Sequence, residues 1–461
     1  MKEYKVKPLI GKEPIKVEVP GSKSITNRAL MLAALGNQKC ELNGVLFSDD
    51  SRAFLSCLQK LGFDVVIDEL EKRVSITGLG GEIPNRKATI NVRSAGTAAR
   101  FLTVMLAFAG GCYTLNSSEQ MKKRPMEPLL TELRKAGVKI TCLEKEGHFP
   151  FVIESEKLNI HEITMDTNIS SQFASALLMS ATLLPNGFTL HMSGERSSGS
   201  YVLMTLSMME QFGIQVTKNG ADCEVVKGQK YGLKTYDIEP DMSAACYFYA
   251  MAAVLNRKVT VVGTHEAISL QGDKKFLNIL RELGCEVEDM SEGVTVTGVE
   301  NYSGITVNMK DFSDQALTMA VVAAFADTPT RIEHVGHIRM QESDRIQAII
   351  NEMNRMGIGC KELPEVDGIE IIPAPVQPAE IETYEDHRVA MSFTLAGLRA
   401  EGITIKNPLC CGKTFENYFE VIDSFGNKYC GEYMAGFDPK GFSDIEISYE
   451  IPKFITKAGG V

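Results

Sequence analysis

One phrase recurs six times along the chain: an amphipathic stretch, a glycine, then an alternating run of strand type. The glycines are Gly62, Gly137, Gly213, Gly284, Gly357 and Gly426, in steps of 75, 76, 71, 73 and 69 residues. A helix commonly ends on a residue of positive φ, which glycine alone adopts without strain. Each phrase therefore predicts a helix, a left-handed glycine and a strand.

A second phrase keeps the same period. A small polar cluster opens an Ala-rich apolar helix at Ser24, Thr97, Ser171, Ser243, Asp314 and Asp386, in steps of 73, 74, 72, 71 and 72. A period near seventy is too long for helical solenoids or propeller blades. It suits a repeated α/β unit with its own small sheet. Six units account for most of the 461 residues. The six openings are also candidate anion sites, because helix N-termini carry unpaired N–H groups and partial positive charge. Plain N-capping is the simpler reading of each, but capping does not call for the adjacent Lys and Arg.

Composition narrows the function classes. With 44% hydrophobic and 23% charged residues the chain is a globular protein. Its apolar runs stop short of a membrane span. The net charge is −11 with no basic block, which argues against nucleic acid as a partner. Eleven cysteines without a C-x-x-C pair read as reduced thiols, so a cytoplasmic location is expected.

Basic and polar residues cluster at the openings. Lys23, Ser24 and Arg28 sit at the first; Arg93, Gly96 and Arg100 at the second, preceding the run Lys122-Lys123-Arg124. Ser170, Ser171 and Gln172 begin the third helix, and Asp314 follows Asp311 at the fifth. Glu342 and Arg345 are expected on one helix face. Asp386, His387, Arg388 and Lys413 complete the set.

The phrases GSKSITNR, AGTAAR, KRPM, SSQF, SDQALTMA, ESDR, DHRVAM and GKTF, in this order, resemble the 5-enolpyruvylshikimate-3-phosphate synthase family from near the N-terminus to about residue 426. The resemblance implies an α/β, two-domain enolpyruvyl transferase fold of six repeated units, three per domain. It implies residues 22–240 as one domain and 1–21 plus 241–426 as the other, with the N-terminal strand completing the last unit. It implies transfer of the enolpyruvyl group of phosphoenolpyruvate to the 5-hydroxyl of shikimate 3-phosphate, with no metal or organic cofactor. By resemblance, Lys23, Arg124, Arg345, Arg388 and Lys413 hold phosphoenolpyruvate, helped by Gly96 and Gln172. Lys23, Ser24, Arg28, Ser170, Ser171, Gln172, Ser198, Tyr201, Asp314 and Gln341 meet shikimate 3-phosphate. Asp314 takes the hydroxyl proton, and Glu342 with Lys23 moves protons at the enol carbon. A monomer is expected.

The chain departs from the family pattern at Ser94, His337 and Gln341, where Asn, Asn and Lys are common, and at Phe101, where some members have Pro. Residues 427–461 extend past the sixth repeat and are expected to be peripheral or flexible. Two other activities compete. A sister enolpyruvyl transferase acting on UDP-N-acetylglucosamine commonly uses a cysteine where this chain has Glu119. A phosphate-loop kinase is suggested by Asn407–Thr414, which lacks the first glycine and carries Pro408 where the loop needs a donor. A non-catalytic repeat scaffold fits the period but not the clustered charges. His334 and His337 are too few for a metal site.

Overall fold

The repeat folds into six small sheets. The computed structural model describes residues 2–168, 170–194 and 199–426; Ser198 and the segment 427–461 lie outside the described residues. Among these, five sheets have four strands and one has three. The second unit shows the plan. Strand Lys87–Asn91 pairs in parallel with Gly111–Asn116, and the Ala-rich helix Gly96–Ala109 makes the crossover that parallel strands require. The amphipathic helix Glu127–Lys135 then leads into a hairpin of Lys139–Cys142 and Phe151–Ser155, whose second strand joins Gly111–Asn116 antiparallel.

Five of the six repeat glycines are left-handed, with φ of 89°, 97°, 94°, 92° and 78° at Gly62, Gly137, Gly213, Gly284 and Gly357. Gly426 is not.

Two strands are exchanged between units. Ile15–Val17 precedes the first Ala-rich helix, yet it pairs in parallel with Lys258–Val262 of the fourth unit. Thr235–Asp237 precedes the fourth Ala-rich helix, yet it pairs with Lys39–Asn43 of the first. The N-terminal strand Glu3–Lys5 closes the sixth sheet on Ile403–Lys406. The exchanged segments cross at a bridge between Gly21 and Pro240. Ser22 N donates to Glu239 O at 2.9 Å, and Asp241 N to Pro20 O at 2.8 Å. Only glycine fits at 21, since a Cβ there would lie 1.9 Å from Gly44 O.

The buried apolar residues form two clusters. One runs from Ile25 to Ile238, the other from Tyr4 to Val17 and from Met242 to Ile422. At each centre lie three Ala-rich helices: Lys23–Leu35, Gly96–Ala109 and Ser171–Ser180 in one, Met242–Leu255, Ala316–Ala323 and His387–Arg399 in the other. These helices are apolar nearly all round because they are buried nearly all round. In Met242–Leu255 only Ser243 and Leu255 are not buried. No described helix is long and apolar enough to cross a membrane.

Candidate functional site

The N-terminal ends of four of these helices, and the turn leading into Ala316–Ala323, meet across a cleft between the two clusters. Four of the six helices have side-chain caps: Ser22 accepts from Ile25 N, Ser170 from Gln172 N, Asp241 from Ala244 N and Asp386 from Arg388 N. The capping residues are thus mostly one or two positions before the openings read from sequence. Gly96–Ala109 follows Ala95, which has no capping side chain, and its first residues Gly96 and Thr97 line the cleft. Asp314 caps nothing. It lies in the 3-10 turn Lys310–Gln315, and the α-helix starts after it at Ala316.

Asp314 and Glu342 organise the cleft. Asp314 accepts from Arg345 Nη1, Arg388 Nη2 and the Tyr201 hydroxyl, each at 2.9 Å. Burial pushes this carboxyl up, but Arg388 and Arg345 outweigh burial and hold it at about 2. Glu342 takes Arg345 Nη2 at 3.0 Å, Lys413 Nζ at 3.5 Å and Arg124 Nη1 at 3.7 Å. Burial would raise it too; Lys413, Arg124, Arg345 and Lys23 together keep it well below the usual carboxylate range. Both acids are ionised, and each is gripped from both halves of the molecule.

Glu342 is not on a helix. Asp344 accepts from Gln347 N and caps the helix that begins at Arg345, so Glu342 reaches Arg345 from the preceding loop. Arg345 is 1% exposed and satisfied by Asp386 at 2.8 Å, Glu342, Asp314 and the Gln341 side-chain oxygen. Removing one partner of such a buried charge typically costs about 3–5 kcal/mol.

The remaining expected residues gather here as well. Lys23, Ser24, Arg28, Gly96, Arg124, Ser170, Ser171, Gln172, Tyr201, Gln341 and Arg388 all line the cleft. Lys413 joins through Glu342. Arg28 is the most enclosed of them. It donates to Thr205 Oγ1, Ser24 O, Ser175 Oγ and Tyr201 O, and packs on the rings of Phe101 and Tyr201. Burial lowers its pKa to about 10, so it stays charged. Phe101, one of the departures from the family pattern, thus has a packing role. Ser94, another, shares a 2.7 Å hydrogen bond with Ser118.

Among the lining residues to which the resemblance gives no substrate or catalytic role are Asp50, Arg100, His337 and His387. Arg100 and His387 lie inside quoted phrases, and only their burial against the cleft distinguishes them. Arg100 donates to Gly96 O and Gln172 Oε1. His387 is pushed well below its usual range by burial, Lys23 and Arg388, and is neutral. Asp50 faces Lys23 Nζ at 3.6 Å. His337 shares a 2.7 Å hydrogen bond with Ser313.

Around the cleft, Lys23, Arg28, Arg100, Arg124, Arg345 and Arg388 outnumber Asp50, Asp314 and Glu342. The surplus is cationic in a chain of net charge −11. The Nε atoms of Arg100 and Arg124 are buried and have no partner among the described residues. Unpaired buried donors of this kind favour an anionic ligand.

Residues 11–422 match the family described as EPSP synthase (3-phosphoshikimate 1-carboxyvinyltransferase). The chain belongs to that family. The 3-phosphoshikimate 1-carboxyvinyltransferase of Trichormus variabilis is 41% identical over 87% of this chain and 94% of its own length. The chloroplastic enzyme of Brassica napus is 38% identical over 88% of this chain and 82% of its own. An EPSP synthase structure from Acinetobacter baumannii shares the fold, with a TM-score of 0.77 over 92% of this chain and 98% of that one, at 24% identity. The kinase-like reading of Asn407–Thr414 fails on the geometry too. That stretch is a 3-10 turn, Pro408–Lys413, and the next helix begins only at Tyr418.

Proposed function

We propose that the chain transfers the enolpyruvyl group of phosphoenolpyruvate to the 5-hydroxyl of shikimate 3-phosphate, releasing phosphate, in aromatic amino-acid biosynthesis. The observation that carries this reading is the cationic cleft with two ionised carboxylates set among its arginines. The substrates bring two phosphates and two carboxylates, and planar guanidinium groups suit both.

Lys23, Arg124, Arg345, Arg388 and Lys413 grip phosphoenolpyruvate, with the Gly96 backbone and the Gln172 amide. Ser24, Arg28, Ser170, Ser171, Ser198 and Tyr201 hold shikimate 3-phosphate. Gln341 uses its oxygen on Arg345 and keeps its amide N–H groups for the substrate. Asp314 accepts the hydroxyl proton once the substrate displaces the Tyr201 hydroxyl from it. The substrate oxygen bonds to the enol carbon while the Lys23 ammonium delivers a proton to the methylene, and the ionised Glu342 is placed to accept the methyl proton in the step that follows. Elimination then takes a methyl proton back and expels phosphate.

Residues 22–240 form one domain and 1–21 with 241–426 the other, hinged at the Gly21–Pro240 crossing. The cavity in the cleft is about 110 Å³, whereas pockets for small ligands run to roughly 300–1,000 Å³. Admitting both substrates therefore requires opening, and reclosure excludes water. The enzyme acts as a cytoplasmic monomer on small molecules, without nucleic-acid or membrane partners. The test is product identification: incubation with both substrates should give a carboxyvinyl ether at the 5-oxygen, and intact shikimate 3-phosphate after incubation would refute the assignment.

A further inference from the structure

Asp273 is a buried carboxylate, 4% exposed, that none of these roles uses. It lies behind the cleft in the 3-10 turn Gly272–Lys275. Its Oδ1 accepts from Gln315 Nε2 at 2.8 Å. Gln315 directly follows Asp314, is fully buried, and accepts from Thr318 Oγ1 at 3.0 Å. The carboxylate therefore grips the turn that presents Asp314. Two residues earlier, Gln271 accepts from Ser22 Oγ and Met242 N, both at 2.9 Å, and donates to Pro240 O at 2.8 Å. One short segment ties the crossing point to the turn carrying Asp314.

We propose that Asp273 is a positioning residue for the transfer, fixing the Asp314 turn and making Asp314 a better proton acceptor than two arginines alone would allow. The proposal rests on the reading of Asp314 as the base. Between Arg345 and Arg388, Asp314 is a weak base. As the substrate O–H breaks, its proton goes to Asp314 and its electron pair stays on the oxygen that bonds to the enol carbon. The repulsion between Asp314 and Asp273 disappears at that moment, so the second carboxylate favours the transfer.

Three charged groups act most strongly on Asp273. Asp314 and Asp241 oppose its charge, and Arg388 supports it. The Tyr201 phenol and the Cys246 thiol are pushed up by burial and stay neutral. Burial, then Asp314, push Asp273 up to about 6. It is ionised at neutral pH and takes a proton in mild acid.

The experiment is kcat and both Michaelis constants from about pH 5 to 8 for the native enzyme, Asp273→Asn and Asp314→Asn, with melting curves. Asparagine keeps an acceptor for Gln315 and removes the charge. Native kcat should fall through an acid limb near the Asp273 value of about 6. Asp273→Asn should lower kcat at neutral pH roughly three- to tenfold and lose that limb, with both Michaelis constants within about twofold. The sign for stability follows from the raised carboxyl. Ionising it in the folded state costs stability as pH rises from the unfolded value of 3.8 towards about 6. Asp273→Asn should therefore melt no lower than native at neutral pH. A native kcat that is flat through mild acid overturns the proposal even if the variant does not fold. So does a variant with native kcat and limb, or one that melts lower with raised Michaelis constants. If Asp314→Asn keeps its kcat, the base reading fails first; if it loses kcat while Asp273→Asn behaves as native, only the present inference fails.

Discussion

Gly96→Ala is a one-carbon perturbation whose effect follows from the cleft geometry. Gly96 is the first residue of its helix and its φ is not left-handed, so the backbone accepts alanine. The new Cβ would lie 2.5 Å from Arg100 Nη1 and 2.6 Å from Arg124 Nη1. Ordinary contact needs about 3.4 Å or more, so both guanidinium groups must retreat by roughly 0.8 Å. They are the ends of flexible side chains and can move. A charge-assisted hydrogen bond stretched that far is largely lost, at about 1.5–3 kcal/mol. That corresponds to a roughly ten- to hundredfold rise in the Michaelis constant for phosphoenolpyruvate. Shikimate 3-phosphate should be affected far less, since the Arg28 pocket is untouched. Stability should hold or rise, because alanine in a helix is favoured over glycine by about 0.5–1 kcal/mol. The assay is phosphate release against phosphoenolpyruvate at saturating shikimate 3-phosphate, beside a thermal melt. An unchanged phosphoenolpyruvate constant, or a collapse in melting temperature, would refute the reasoning.

Other outcomes follow. Asp314→Asn should lower kcat by roughly a hundredfold or more with the fold intact; a stability loss with near-normal kcat would make it a structural residue only. The depressed Asp314 carboxyl contributes stability above its ordinary value of 3.8 that is lost as pH falls towards about 2. Acid unfolding curves should show this component in the native enzyme and not in Asp314→Asn. Asp386→Ala should cost about 3–5 kcal/mol in urea melts, since it removes one partner of the buried Arg345 charge and uncaps a helix; a cost under about 1 kcal/mol would contradict that. Gly21→Ala should destabilise the crossing because its Cβ meets a backbone oxygen with no freedom to move aside; an unchanged melt would mean the crossing is loose.

The period of the repeat was legible because glycine chemistry marks helix ends and small polar residues mark helix starts. Five left-handed glycines and six sheets follow from it. The exchange of Ile15–Val17 with Thr235–Asp237 was not legible. Three-residue strands carry no periodicity, and their partners lie 194 and 244 residues away along the chain. Glu342 looked helical because its spacing to Arg345 allows it; Asp344, one residue before Arg345, starts the helix instead. Arg100 and His387 belong to the AGTAAR and DHRVAM phrases, but that they face the cleft depends on packing. Asp273 had no such phrase, and only its bond to Gln315 relates it to Asp314.

Phosphate release from phosphoenolpyruvate, measured with and without shikimate 3-phosphate, tests the account most directly. Release is predicted to require shikimate 3-phosphate and to yield one phosphate per carboxyvinyl ether formed. Equal release without shikimate 3-phosphate, or release only with UDP-N-acetylglucosamine, would contradict it.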